Sequence, residues 1–142
     1  MKNIKLLGID YGEKNIGIAF ADTNYNIVIP ITNLKSSNKT VFLEICNIIK
    51  EKKIDKIIVG LPLNKDATES KICGKIKKFV IMLNSFIDIP VEFIDETMTT
   101  KEIEAELINL KVSYKKRKEK IDQLSACLIL ENYINKIKYE IK

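Results

Sequence analysis

The chain contains no histidine. No imidazole can therefore serve as a general base or a metal ligand, and any metal site has to be built from carboxylates and water, a donor set that suits Mg²⁺ or Mn²⁺. Cysteine is scarce. Cys46, Cys73 and Cys127 lie far apart without C-x-x-C spacing, and their helix-like surroundings predict small buried hydrophobes rather than disulfides or zinc ligands. Long apolar runs are missing as well; none approaches the roughly 18 residues that a membrane span requires. The opening "MKNIKLLGID" reaches charge too early for a signal peptide, so a cytoplasmic protein with no membrane partner is expected. No repeat, linker or low-complexity tract interrupts the 142 residues. They are expected to form a single domain, 1–142, with a sizeable core.

Positive charge, by contrast, is plentiful: 24 Lys and Arg against 19 Asp and Glu, a net +5. That balance favours a polyanionic partner such as nucleic acid. The densest run is "KVSYKKRKEK", with Lys115, Lys116, Arg117 and Lys118, read here as a basic loop. Such a run is ordinarily a solvated face. Its place immediately before Asp122 gives it a second reading, contact with a nucleic-acid backbone.

Hydrophobic periodicity orders the rest. In "LGIDYGEKNIGIAFAD" the apolar residues Ile4, Leu6, Leu7 and Ile9 are followed by turn chemistry at Gly12 to Asn15, then by Ile16, Ile18 and Phe20. This predicts a β-hairpin. Ile27 to Leu34 reads as a third strand, at a sheet edge because of Pro30. Val41, Phe42, Ile45, Ile48 and Ile49 recur at helical spacing over Thr40 to Lys53. Lys56 to Pro62 is a continuous apolar run of the kind found in buried parallel strands. A second helix carries Ile72, Ile76, Phe79, Val80 and Leu83, and Pro90 to Glu96 is a fifth strand. Thr99 or Thr100 caps a short helix running to Leu110, and a last helix spans about Ile121 to Lys138. Right-handed crossovers place strands four and five parallel to strand one. The expected fold is α/β, a mixed five-stranded sheet flanked by helices.

Alternation puts Asp10 on the face of Ile4, Leu6 and Gly8. A carboxylate at the end of a buried strand needs a donor, a cation or a metal. Asp95 and Glu96 end strand five, and Asp122 stands in the first turn of the last helix, where Ser125, Ala126 and Cys127 allow close approach to the sheet. Ligands gather at the carboxyl ends of parallel strands, and converging carboxylates repel one another unless cations neutralise them. The plainer readings are that Asp10 caps its turn by accepting from the Gly12 or Glu13 amide, that Asp122 is an ordinary first-turn helix acid, and that "GLPLNKD" only closes a turn. Lys14 in the hairpin turn and Lys65 in that loop are candidate phosphate contacts.

Four stretches now stand in order: "LGIDYGEKNIGIAFAD", "IIVGLPLNKDATES", "VEFIDETMTT" and "IDQLSACLILENYI". Together they span nearly the whole chain and resemble the YqgF family, bacterial proteins known as pre-16S rRNA nucleases and Holliday junction resolvases. The resemblance implies a ribonuclease H-like fold and a two-metal nuclease site holding Mg²⁺ or Mn²⁺. It implies Asp10, Glu96 and Asp122 as metal-binding catalytic acids, with Asp95 as the substitute for Glu96. Glu96 is preferred because its longer side chain reaches inward from just beyond the strand. The implied substrate is precursor rRNA or branched DNA. Three positions depart from the family pattern: Thr97 where Arg is usual, Asn15 where a basic residue is usual, and Ala67 where Gly is usual. The missing basic residues keep a non-catalytic nucleic-acid-binding module as an alternative. An actin-like ATPase, whose hairpins also carry D-x-G, needs two such domains. The helix stripes look narrow enough to be used up against the sheet, so a monomer or weak homodimer is expected.

Overall fold

The computed structural model describes residues 3–64, 66, 68–95, 105, 108, 109, 111 and 113–140, except for the side chains of 114, 115, 117–119, 122, 123, 139 and 140. The hairpin forms as its sequence predicts, from β1 (Lys5–Tyr11) and β2 (Asn15–Asp22). Its turn closes where the Gly12 N–H donates to the Asn15 carbonyl at 2.9 Å. A Cβ on Gly12 would lie 2.7 Å from that carbonyl oxygen, so the turn requires glycine. There follow β3 (Ile27–Lys35), α1 (Val41–Lys52), β4 (Lys56–Leu61), α2 (Cys73–Asn84), β5 (Val91–Asp95) and a long helix, α3 (Tyr114–Glu140).

The strands lie in the order β3-β2-β1-β4-β5. β1 pairs antiparallel with β2, and β2 with β3. β1 pairs parallel with β4, and β4 with β5. Pro30 lies on edge strand β3, where its missing N–H costs no inner ladder bond.

Side-chain alternation divides the core into two layers. Leu7, Ile9, Ile16, Ile18, Ile57 and Val59 meet the α1 and α2 stripes, including Ile45, Ile76 and Leu83. Leu6, Ala19, Ala21 and Ile58 face α3 through Ala126, Ile129, Leu130 and Tyr133. The stripes are consumed as expected. Leu43, Ile81, Met82 and Phe86 nonetheless remain exposed on and after the two outer helices.

The direction of α3 follows from two contacts. The Lys56 ammonium, at the start of β4, donates to the Tyr133 hydroxyl at 2.8 Å. Gly8, further along β1, lies against Ala126 and Leu130. The helix therefore runs antiparallel to β1 and β4, with its N-terminus towards their carboxyl ends.

Two expectations need correction. The basic stretch is helical from Tyr114, seven residues before the expected start at Ile121. The Ser113 Oγ accepts from the Lys116 N–H at 3.4 Å, an N-cap position for that hydroxyl. Cys73 and Cys127 are buried as expected, whereas Cys46 is only half-buried. Burial pushes the Cys127 thiol up to about 11, with the Glu131 charge adding to it. No disulfide joins the three cysteines. Of the short helix ending at Leu110, residues 105, 108 and 109 are helical and the others lie outside the described residues. Among the described residues, no helix is long and apolar enough to cross a membrane.

Candidate active site

Asp10 is half-buried near the carboxyl end of β1. Across β2 it stands opposite Gly17. On the other side, Ile9 pairs with Val59, so the next step along the parallel ladder sets Asp10 beside Gly60. Gly60 in turn pairs with Ile94, and Gly17 with Asn33. One row thus crosses the sheet as Asn33, Gly17, Asp10, Gly60 and Ile94. Both immediate neighbours of Asp10 in the sheet are glycines, so neither contributes a side chain beside its carboxylate. The row lies on the α3 face, because Leu6, Ala19, Ile58 and Ile94 all pack in the layer beneath that helix.

Asp95 belongs to the other face. Val91 and Phe93 pack in the α1 and α2 layer while Ile94 packs under α3, so alternation sends Asp95 away from Asp10. Asp95 is also exposed. Glu96 and Lys65 lie outside the described residues.

Position 122 is helical, and its side chain lies outside the described set. The helix axis still sets its level. Ala126 touches Gly8. Four residues back along α3 is about 6 Å, and two residues forward from Gly8 to Asp10 is about 6.6 Å. The antiparallel course of α3 therefore brings position 122 level with Asp10. Lys116 is exposed about 9 Å further along the helix axis, beyond the same rim. Side chains 115, 117 and 118 lie outside the described set. Among the described residues, no three of Cys, Asp and Glu cluster as metal ligands.

Two of the plainer readings are answered in part. The Gly12 amide is engaged by Asn15, so the turn closes through its own backbone. The "LPLNKD" loop is held by local bonds: the Asn64 N–H donates to the Thr68 carbonyl at 2.7 Å, and its side-chain amide donates to Thr68 Oγ1 at 3.1 Å. Asn64 thus acts as a turn residue. Thr68 donates to the Asp66 carboxylate, holding that group below the usual range. At the hairpin turn, Lys14 is exposed, and Glu13 forms an ion pair with Lys75 at 2.9 Å, tying the turn to α2. That pairing lowers the Glu13 pKa and raises that of Lys75. Both groups are exposed, so it contributes little to stability.

Asn33 is the residue in this row that no motif marks. Its strand position alone suggests a residue on the opposite face, and only the observed register brings it here.

The chain is similar to known proteins over nearly its full length. A family profile described as "RuvX: Holliday junction resolvase" matches residues 4–136. A protein of Thermoanaerobacter pseudethanolicus named "Putative pre-16S rRNA nuclease" is 41% identical over 134 residues, covering 93% of this chain and 96% of the relative. A protein of the same name from Syntrophus aciditrophicus is 37% identical, covering 96% and 92%. Among solved structures, Thermus thermophilus RuvC in complex with a Holliday junction substrate superposes with a TM-score of 0.55 at 14% identity, covering 93% of this chain and 96% of that one. The fowlpox virus Holliday junction resolvase gives 0.53 at 15% identity, covering 94% and 99%. These two likenesses show the fold alone, an α/β fold of the ribonuclease H-like kind. With residues 4–136 matched and relatives at 41% identity, the chain belongs to the RuvX family, whose motifs its sequence resembles under the name YqgF.

Proposed function

We propose that this chain is a cytoplasmic, metal-dependent nuclease whose centre is the Asp10 rim, and that it processes the 5′ end of precursor 16S rRNA. The observation that carries this reading is the row through Asp10. A single carboxylate stands between two glycines, with position 122 of α3 at the same level. Asp10, Glu96 and Asp122 are the proposed metal-binding acids. All three are hard oxygen donors in a chain without histidine, a donor set that suits Mg²⁺ or Mn²⁺. Such ions supply Lewis-acid activation of water and charge stabilisation of the leaving oxygen when bound. The chain's own part is to fix the carboxylates on rigid elements and to hold the phosphodiester backbone. The relatives' names favour precursor rRNA as substrate, and the family's description supplies the alternative, a four-way DNA junction. Cutting a junction symmetrically calls for two active sites in a two-fold dimer. We favour a monomer or weak dimer, which sedimentation at micromolar concentration will test.

The choice between the adjacent acids is testable directly. Asp95 shares its face with Val91 and Phe93, so Glu96→Gln should abolish cleavage while Asp95→Asn retains most of it. The reverse order of losses in folded proteins would reassign the third ligand.

Lys115, Lys116, Arg117 and Lys118 serve, in this reading, as backbone contacts together with Lys14 and Lys65. The first four lie at the start of α3, whose first turn carries no acid. Cations at a helix N-terminus oppose the helix dipole, a cost of a few tenths of a kcal/mol each, roughly 0.3–1 in exposed positions. A sequence that accepts this cost gains a strongly positive pole at the rim where a phosphodiester would lie. Replacing the four with Ala should leave stability unchanged or slightly raised. It should also lower the slope of log affinity against log salt by roughly 0.7 per lost phosphate contact on single strands. An unaltered slope would reduce the run to a solubility feature.

A further inference from the structure

We propose that an open groove between α1, α2 and the β1–β2 hairpin takes an unpaired base of the RNA strand, as a contact separate from the Asp10 rim. It deepens the nuclease reading and rests on it for the choice of RNA. The groove follows from the patterning of α2. Its apolar stripe, Ile76, Phe79, Val80 and Leu83, is buried on the sheet. Lys75, Lys78 and Met82 recur at i, i+3 and i+7, which sets them in one line along the flank of that stripe. Both lysines are exposed, and so is Met82. Opposite them stand Tyr11 at the end of β1 and Phe42 in the first turn of α1. With Phe79 these residues line a groove of about 330 Å³, at the lower end of the roughly 300–1,000 Å³ usual for ligand sites.

The chemistry of the lining matches a nucleotide. Its aromatic rings form a continuous set: the Tyr11 and Phe79 centroids are 5.0 Å apart, and those of Phe79 and Phe42 5.2 Å. Bases pack against aromatic side chains whatever their sequence, because every base has a π-face. Met82 adds an adaptable apolar edge. Among the described residues that line the groove, two are lysines and none is acidic. Lys75 pairs with Glu13 at 2.9 Å, which ties the hairpin turn to α2 at one end of the groove. Lys78 sets a second cation three residues further along the helix. An apolar protein segment would supply nothing for these ammonium groups. A nucleotide supplies a base for the rings and a phosphate for the lysines.

The placement agrees with the chemistry. Tyr11 follows Asp10 on β1, their Cα atoms about 3.8 Å apart. Alternation sends the ring into the α1 and α2 layer and the carboxylate to the face of α3. Groove and rim are therefore the two sides of one strand end. A strand of RNA crossing the hairpin turn, past exposed Lys14, reaches both. A duplex does not offer the same fit, because a base has to be unstacked and splayed out before it can lie against side chains. The groove should therefore favour single-stranded over double-stranded RNA.

The test is binding of a fluorescent RNA bearing the precursor 16S 5′ end to the full chain in chelator, followed by anisotropy. The RNA is used single-stranded and annealed to its complement. Met82→Glu sets an anion in the groove. Ile81→Glu sets the same charge at the neighbouring position, which is 71% exposed and outside the lining, and serves as the control. The expected result is single-strand binding at least about 5-fold weaker in Met82→Glu than in Ile81→Glu, the scale of one lost base contact, with duplex binding alike in the two. Lys78→Ala, which does not depend on the fold of the Met82 variant, should lower the single-strand salt slope by roughly 0.7. Equal single-strand affinities of folded Met82→Glu and Ile81→Glu, or an unaltered slope in Lys78→Ala, would overturn the proposal. Dimer lost in sedimentation of Met82→Glu, with RNA binding unchanged, would assign the face to a second copy of the chain and also refute it. The expected groove dependence in a wild-type chain that leaves the RNA uncut with Mg²⁺ or Mn²⁺ would uphold the groove and refute the nuclease reading instead.

Discussion

Asp10→Asn should yield a folded protein that does not cut. The substitution keeps the shape of the side chain and removes its charge. Asp10 is half-buried between Gly17 and Gly60, and an isosteric amide fits the same space. If other carboxylates converge on the rim, removing one charge relieves repulsion in the metal-free protein, and thermal stability should hold or rise slightly. The cleavage rate should fall by at least about 100-fold, the upper end of what losing a mere outer partner of a ligand costs. The contrast between intact stability and lost activity separates a functional carboxylate from one that caps a turn. An Asp10 engaged only in capping would show the opposite pattern, lower stability with activity kept.

Gly8→Val should be the most damaging single substitution to the architecture of the site, although Gly8 carries no chemistry. Even an added Cβ would lie 2.7 Å from Leu130 Cγ and 2.8 Å from the Ala126 carbonyl oxygen. The leucine can rotate away. The carbonyl belongs to the α3 backbone, so it can yield only if the helix lifts. Overpacking of this kind costs about 1–3 kcal/mol, and Val adds two methyl groups beyond the Cβ. A fall in Tm of roughly 3–10 °C follows for a domain of this size. Because Ala126 is one turn from position 122, the displacement also raises α3 away from the Asp10 rim. Activity should therefore fall further than the loss of folded protein explains, as measured on the folded fraction at low temperature. Gly74→Ala is the matched control. Nothing lies within 4 Å of a Cβ there, and in α2 an alanine should stabilise by about 0.5–1 kcal/mol. Gly8→Val with unchanged Tm would mean that α3 is not seated on β1 as described.

The alternating and helical patterns of the sequence carried most of this architecture. β1, β2, β4 and β5 lie where apolar runs end in Gly, Pro or acid, and the α1 and α2 stripes pack onto the face they imply. The start of α3 escaped because Tyr114 to Lys120 has no apolar periodicity. Those turns project past the sheet edge, so no core stripe is required of them. The Ser113 cap was the available signal. Asn33 escaped for another reason. Its face depends on the single extra residue at Ile31, and a bulge shifts phase without changing composition. The face of Asp95 became readable only after Val91, Phe93 and Ile94 had been assigned to their layers. Asp10 itself was legible early, since a carboxylate in an apolar strand needs a compensating partner.

The most direct test of the Asp10 rim as a metal-dependent nuclease centre is cleavage of an RNA bearing the precursor 16S 5′ end. The assay follows the purified wild-type chain as free Mg²⁺ or Mn²⁺ is varied, with a four-way DNA junction run in parallel. The predicted result is cutting of the RNA that rises with metal, stops with chelator and returns on re-addition, with the junction cut slowly or not at all. Cutting that persists in chelator, or symmetric cutting of the junction with the RNA left intact, would contradict it.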